Sequence, residues 1–357
     1  MPDPSAGNAY ETNFGRSLAT PRGRRLTLPV FFPVFEQRSA FYSSRELIEL
    51  CGAEAFILNA FFLYRDRELR RRFMKEGLTL QEYLGADVPT MTDSGAFQGF
   101  RQRVMIDNKK IVKFQDRIGT DIVSPLDLVT PPGDGREKSK EKAEVTMKRI
   151  RAALPLAESS ILAGVQQGGR FPELRQWCTE QLLDIGVEYI AVGSLVPFFT
   201  QNHDIALACR IVRDTRRTCG PAMPIHVYGS GDPLELPFFL AMGANIFDSS
   251  SYAHFAIGGW YMTPFGSVKD TTHIASGEYV CACPACREAQ TPEAVFAETR
   301  LLVLHNLWTI LETIRRLRTA LDEGTLGAYL EHTMKTHMAW FPESKLQSSW
   351  ESVCNAG

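Results

Sequence analysis

The sequence predicts an α/β chain folded as a (β/α)8 TIM barrel with an inserted or C-terminal zinc-binding subdomain. Three observations carry that reading. Eight short apolar runs alternate with longer amphipathic stretches. A length of 357 residues suits one such barrel with an appendage. No Gly-x-Gly-x-x-Gly follows the first run, which argues against a doubly wound open sheet.

Residues 1–26 begin with a polar stretch without an apolar signal core and are read as a flexible tail. Residues 27–275 hold the catalytic barrel. Its expected strands are Val30–Val34, Ala55–Asn59, Val88–Thr92, Asp121–Leu126, Ile161–Gln166, Tyr189–Gly193, Ile225–Tyr228 and Ala244–Phe247. Helices are expected near 43–51, 66–84, 108–118, 136–154, 171–185, 203–216 and 232–242. Ser43 or Ser44 before Glu46, Asp204 before a periodic apolar run, and Asp232-Pro233 are start signals. Residues 276–340 form the zinc-binding part, with a helix over about 293–322, and 341–357 a tail.

Composition excludes some classes. Hydrophobic residues at 44% and charged residues at 22% belong to an ordinary globular protein. No apolar run reaches the ~18 residues of a membrane span. A net charge of −2 gives no global basic footprint, so a nucleic-acid partner needs a local patch. Such patches are Arg22, Arg24 and Arg25, the stretch Arg65–Lys75, the pair Arg101 and Arg103, and Arg315–Arg318. The pair following the third strand is the first choice for phosphate contact. The eight cysteines form no secreted disulfide framework, and a reducing cytoplasmic location fits them better.

In a barrel of this kind, chemistry gathers at the C-terminal strand ends. The third ends in Asp93-Ser94-Gly95-Ala96-Phe97, an acid beside small residues and a flat ring. The fourth offers Asp127, the fifth Gln166-Gln167-Gly168-Gly169, and the sixth Gly193-Ser194. The seventh offers His226-Val227-Tyr228 and the eighth Asp248. Each alone fits a cap or a turn. Six strand ends of eight with polar or glycine chemistry point to one shared mouth. Further on, Cys281-Ala-Cys283-Pro-Ala-Cys286 and His305 supply three thiolates and an imidazole. That is a closed tetrahedral set for structural Zn2+.

Asp93-Ser-Gly-Ala-Phe-Gln98, Pro125-Leu-Asp127-Leu-Val-Thr-Pro-Pro132, Val165-Gln-Gln-Gly168, Val192-Gly-Ser-Leu-Val-Pro197 and Asn245-Ile-Phe-Asp248-Ser-Ser-Ser-Tyr252 together resemble the tRNA-guanine transglycosylases. The zinc cluster and Leu304-His-Asn-Leu-Trp308 agree, and the likeness runs from about Thr27 to Lys335. Thr130-Pro-Pro132 and His305-Asn-Leu-Trp308 look closest to the archaeosine-type branch. The resemblance implies exchange of guanine for a 7-deazaguanine, such as 7-cyano-7-deazaguanine, in tRNA through a covalent aspartate intermediate. It implies Asp248 as nucleophile and Asp93 as general acid/base. By the same resemblance Asp127, Gln167, Gly193 and Ser194 recognise the base, with Ser94 beside them, and Phe97 and Tyr228 sandwich it. Cys281, Cys283, Cys286 and His305 become zinc ligands, and a homodimer is implied.

Two departures stand out: Gly193-Ser194 where the family usually has two glycines, and the doubled Gln166-Gln167. The added hydroxymethyl of Ser194 is expected to narrow the pocket. The core-only length makes DNA an alternative polymer to tRNA. A non-catalytic nucleic-acid-binding paralogue is a further alternative, disfavoured because both Asp93 and Asp248 are present. A sugar glycosidase also needs two carboxylates, but leaves the zinc cluster and the Asp127/Gln167 pair without a purpose.

Overall fold

A computed structural model describes residues 10–36, 39–96, 106–200 and 204–355. Its centre is a ring of eight parallel strands: β1 (Val30–Pro33), β2 (Phe56–Asn59), β3 (Thr90–Asp93), β4 (Ile122–Val123), β5 (Ile161–Leu162 and Gly164–Gln166), β6 (Ile190–Val192), β7 (Ile225–Val227) and β8 (Ile246–Ser249). The first half of β5 pairs with β4 and the second half with β6. β8 returns to pair with β1. The Val34–Ile57 bridge joins β1 to β2 and closes the ring. The chain is therefore a TIM barrel, as its pattern predicts.

Strand alternation sorts the apolar residues into two cores. Val30, Phe32, Ile57, Met91, Ile122, Ile161, Ala163, Tyr189, Ala191 and Ile246 fill the barrel. The opposite faces of the same strands meet the surrounding helices, for example Phe31, Phe56, Leu58, Val123 and Val192.

Most helices lie where periodicity puts them. Ser43 forms a capping box with Glu46, and Asp204 caps its helix through Leu207 N–H. Three expectations need correction. The helix expected over 66–84 is two, Arg67–Lys75 and Leu80–Leu84, because Gly77 has φ of 75° and Thr79 starts a new capping box. The helix expected from 232 begins at Leu236; Asp232 Oδ1 instead takes Leu234 N–H in a preceding turn. The helix expected over 293–322 is divided into Pro292–Ala297 and Thr299–Asp322.

The expected tails also carry structure. A hairpin, Ser17–Ala19 with Arg25–Thr27, precedes β1, and Leu26 and Leu28 join the core inside the barrel. Helix Leu346–Cys354 buries Trp350, whose ring lies 4.8 Å from that of Phe238. Its apolar residues at 346, 350 and 353 follow a helical spacing. Among the described residues, no helix is long and apolar enough to cross a membrane.

Candidate active site and zinc centre

At the C-terminal end of the barrel, β2 and β3 run in a register that sets Asn59 opposite Asp93. Asn59 Nδ2 donates to Asp93 Oδ2 over 3.2 Å. The same Asn59 accepts Phe62 N–H as an N-cap, which fixes the amide. Backbone N–H groups of Ser94 and Gly95 also turn toward the Asp93 carboxylate. Gly95 has φ of 86°, and a Cβ there would stand 2.4 Å from Phe61 Cβ. Only glycine fits that turn. Burial, then the negative charge of Asp127, pushes the Asp93 carboxyl up to about 7. An acid with that value holds or releases its proton near neutrality, as general acid/base work requires.

Asp127 lies just beyond β4 and takes a 2.5 Å hydrogen bond from Gln167 Nε2. Burial raises its carboxyl to about 6, against the lowering effect of that amide. Gly193 makes room: a Cβ there would come within 2.7 Å of Gln167 Nε2. The doubled glutamines divide their work by strand alternation. Gln166 faces outward and bonds Thr179 and Thr215 on two surrounding helices. Gln167 faces the mouth. Arg175 ties the ends of β5 and β6 together, donating to Gly169 O at 2.9 Å and Gly193 O at 2.8 Å.

Asp248 lies in β8 and is buried. Its Oδ1 accepts Gly229 N–H at 3.0 Å and stands 2.8 Å from His226 Nε2, off the axis of the ring N–H. His226 Nδ1 is 2.8 Å from the Tyr189 hydroxyl, which burial keeps protonated. With the Tyr hydroxyl as donor, Nδ1 accepts and the ring proton sits on Nε2, on the side of the carboxylate. Two residues on, Tyr228 bonds Ser124 Oγ at 2.8 Å. The Tyr228 phenol is pushed up by burial and by the charges of Asp93, Asp248 and Asp127, which ring it. Ser94 is fully buried, and its hydroxyl meets no partner among the described residues.

The second cluster is built differently. Helix Thr299–Asp322 carries His305, and the segment before it, with Cys283 capping and Cys286 inside the short helix Pro284–Ala289, brings the three cysteines to the same side. All four ligand atoms lie within 4.8 Å of one another. His305 Nδ1 is 3.5, 3.5 and 3.4 Å from the sulfurs of Cys281, Cys283 and Cys286. A tetrahedral ion with Zn–S of ~2.3 Å and Zn–N of ~2.0 Å demands an S···N separation of about 3.5 Å. The donors therefore fit zinc. His305 Nε2 faces Met262 O at 2.8 Å, a second contact that leaves Nδ1 free for a metal. The Tyr261 ring stacks on the imidazole at 3.5 Å.

A family profile described as queuine tRNA-ribosyltransferase (TGT) matches residues 15–339. The chain belongs to the tRNA-guanine transglycosylase family. It is 33% identical over 322 residues to a tRNA-guanine(15) transglycosylase of Pyrococcus abyssi, covering 88% of this chain and 53% of the relative. With the enzyme of that name from Methanosarcina barkeri it shares 34% over 325 residues, 90% of this chain and 64% of the other. With that of Methanopyrus kandleri it shares 34% over 324 residues, 89% and 69%. These relatives put it with the archaeosine-type branch. The chain spans about half to two thirds of their length.

Within this transglycosylase-family barrel, Asp93, Ser94, Asp127, Gln167, Gly193, Ser194, Tyr228 and Asp248 lie at or just beyond strand ends on one face. Phe97, Arg101 and Arg103 lie outside the described residues. The other basic runs are largely occupied. Arg22 bonds Thr120 O and Asp116 O, Arg24 pairs with Asp87 and Asp121, and Arg25 reaches Ser17. Arg71 pairs with Glu68 and Glu76, Arg315 and Arg316 with Glu312, and Arg318 with Glu54. The Ser194 hydroxyl is engaged by Thr130 and Gln167. Sequence gives no site role to Asn59, and it places Thr130 and His226 in motifs without assigning either a role. His226 had one usable signal, its position two residues before Tyr228 on the same strand face.

Proposed function

We propose that this chain replaces guanine in tRNA by a 7-deazaguanine, 7-cyano-7-deazaguanine or a close relative, without cutting the backbone. The observation that carries this is one mouth holding three carboxylates, two of them pushed up to about 7 and about 6, with an amide donor against the middle one. Asp127 accepts from the N–H groups of a guanine-like edge while Gln167 donates to its carbonyl. Asp248 attacks C1′ as the bond from C1′ to the base nitrogen breaks, and the Asp93 proton goes to the departing guanine. The incoming base then gives its ring proton to Asp93, its nitrogen attacks C1′, and Asp248 leaves unchanged. His226 and Gly229 N–H hold Asp248 in place throughout. Tyr228 is read as one wall of the base site and Phe97 as the other, and the target nucleotide is extruded into the cleft.

Zinc bound by Cys281, Cys283, Cys286 and His305 would brace the cysteine-bearing segment against helix Thr299–Asp322 and supply no step of the reaction. A homodimer and a cytoplasmic location are part of the same reading. The test is to incubate the protein with labelled 7-cyano-7-deazaguanine and either total tRNA or genomic DNA. Label in tRNA is expected. Label in DNA alone would transfer the same chemistry to another polymer, and label in neither would overturn the reading.

A further inference from the structure

Gln167 sits inside a hydrogen-bond lock whose polarity follows from its outer members. Thr130 Oγ1 accepts Gly169 N–H at 3.0 Å, and Ser194 Oγ accepts Thr130 N–H at 2.9 Å. Each hydroxyl thus has a backbone donor, and its own proton is free for the one neighbour both share. That neighbour is Gln167 Oε1, 2.7 Å from each hydroxyl. An amide oxygen has two lone pairs, so this one is saturated. The NH2 end is left to face Asp127, and it does so at 2.5 Å. Turning the amide over would set an oxygen against an ionised carboxylate.

Two independent features agree. Ser194 has φ of 61°, the left-handed region that a non-glycine residue occupies at a cost. What its side chain contributes there is the hydroxyl in the lock. Gly193 packs the amide from the other side, since a Cβ would touch both Gln167 Nε2 at 2.7 Å and Val165 Cγ1 at 3.1 Å.

We propose that Ser194 and Thr130 are positioning residues that hold the Gln167 amide N–H side toward the base, and so make the site select a base with a carbonyl at that edge. The inference rests on the base-exchange reading above and adds the device that sets its selectivity. It gives the Ser194 hydroxyl a role distinct from the narrowing of the pocket by its bulk.

The decisive variant is Ser194→Gly, which relaxes the backbone and removes only the hydroxymethyl. Exchange kinetics with guanine and with 6-thioguanine are compared, since sulfur is the weaker acceptor for an N–H. The KM for guanine should rise about tenfold with kcat within about twofold, and the preference for guanine over 6-thioguanine should shrink toward unity. Independently of turnover, the Gln167 side-chain amide protons, followed by NMR hydrogen exchange, should lose protection about tenfold. Thr130→Val should act in the same direction, and Thr130→Ser, which keeps the hydroxyl, should restore the preference. Wild-type KM, sulfur discrimination and amide protection in both Ser194→Gly and Thr130→Val would overturn the lock. If the wild type exchanged no base at all, the functional reading would fail, and the amide exchange data would still judge the lock.

Discussion

The two ends of the barrel treat buried carboxylates in opposite ways. At the N-terminal end, Asp121 is fully buried and fully met. Thr20 Oγ1 donates at 2.8 Å, Thr90 N–H at 2.9 Å, and Arg24 pairs at 3.3 Å. At the C-terminal end, Asp93, Asp127 and Asp248 crowd one another, and among the described residues none has a Lys or Arg side chain in an ion pair. Arg149 reaches Asp127 through its backbone carbonyl at 3.4 Å. The balanced acid ties the hairpin before β1 to the start of β3 and β4. Among the uncompensated acids, Asp93, its carboxyl pushed up to about 7, holds a proton that a substrate can use. Compensation therefore marks the stability end of the barrel, and its absence marks the chemical end.

The largest effect is expected at the mouth. Asp248→Asn should lower base exchange by ~10⁴-fold or more while leaving polynucleotide affinity nearly intact, because phosphate contacts dominate that affinity. Exchange assays with filter binding on the same preparation check both. An exchange rate within tenfold of wild type would remove Asp248 from the chemistry.

Next comes the zinc centre, whose four donor atoms converge within 4.8 Å of one another. Chelation, or Cys283→Ala, should lower stability by ~3 kcal/mol or more before touching the chemical step. Elemental analysis and thermal melts measure this. A folded variant of normal stability that lost turnover would make the metal catalytic.

Arg24→Met should cost ~2–3 kcal/mol, since it strands Asp121 without its cation. Activity per folded molecule should be unchanged. Denaturant melts and kcat on the remaining folded protein separate the two, and a neutral melt would mean that Thr20 and Thr90 suffice.

The smallest effect has the opposite sign. Asp93 has its folded value raised to about 7, above the ordinary carboxyl range, so the folded state binds the proton more tightly than the unfolded chain. That contribution is fully present below about pH 4 and is lost as pH rises through about 7. Asp93→Asn should therefore stabilise the protein at pH 8, by ~1–2 kcal/mol given that the group is partly open to the mouth. The same change should abolish exchange. Melts of both proteins at pH 5 and pH 8 test it; a destabilised variant at pH 8 would mean that Asp93 is compensated after all.

Much of this was legible in sequence because barrel strands announce themselves by short apolar runs and their ends by polar residues. Asp93, Asp127, Gln167, Tyr228 and Asp248 could be read that way. Asn59 could not, because its role comes from the β2–β3 register that sets it beside Asp93. Thr130 meets Gln167 and Ser194 only once three different loops converge, and no local pattern encodes that meeting. The same holds for the hairpin before β1, whose Leu26 and Leu28 look like any tail until the barrel end they fill is closed.

The central claim is that Asp248 becomes covalently bound to the sugar while Asp93 moves the proton. Wild-type protein, guanine-bearing tRNA and a 7-deazaguanine should be mixed, denatured and digested, and the adduct located by mass spectrometry. The account predicts a nucleoside attached to the peptide carrying Asp248, absent in Asp248→Asn. An adduct that maps to Asp93 and persists in Asp248→Asn would contradict it.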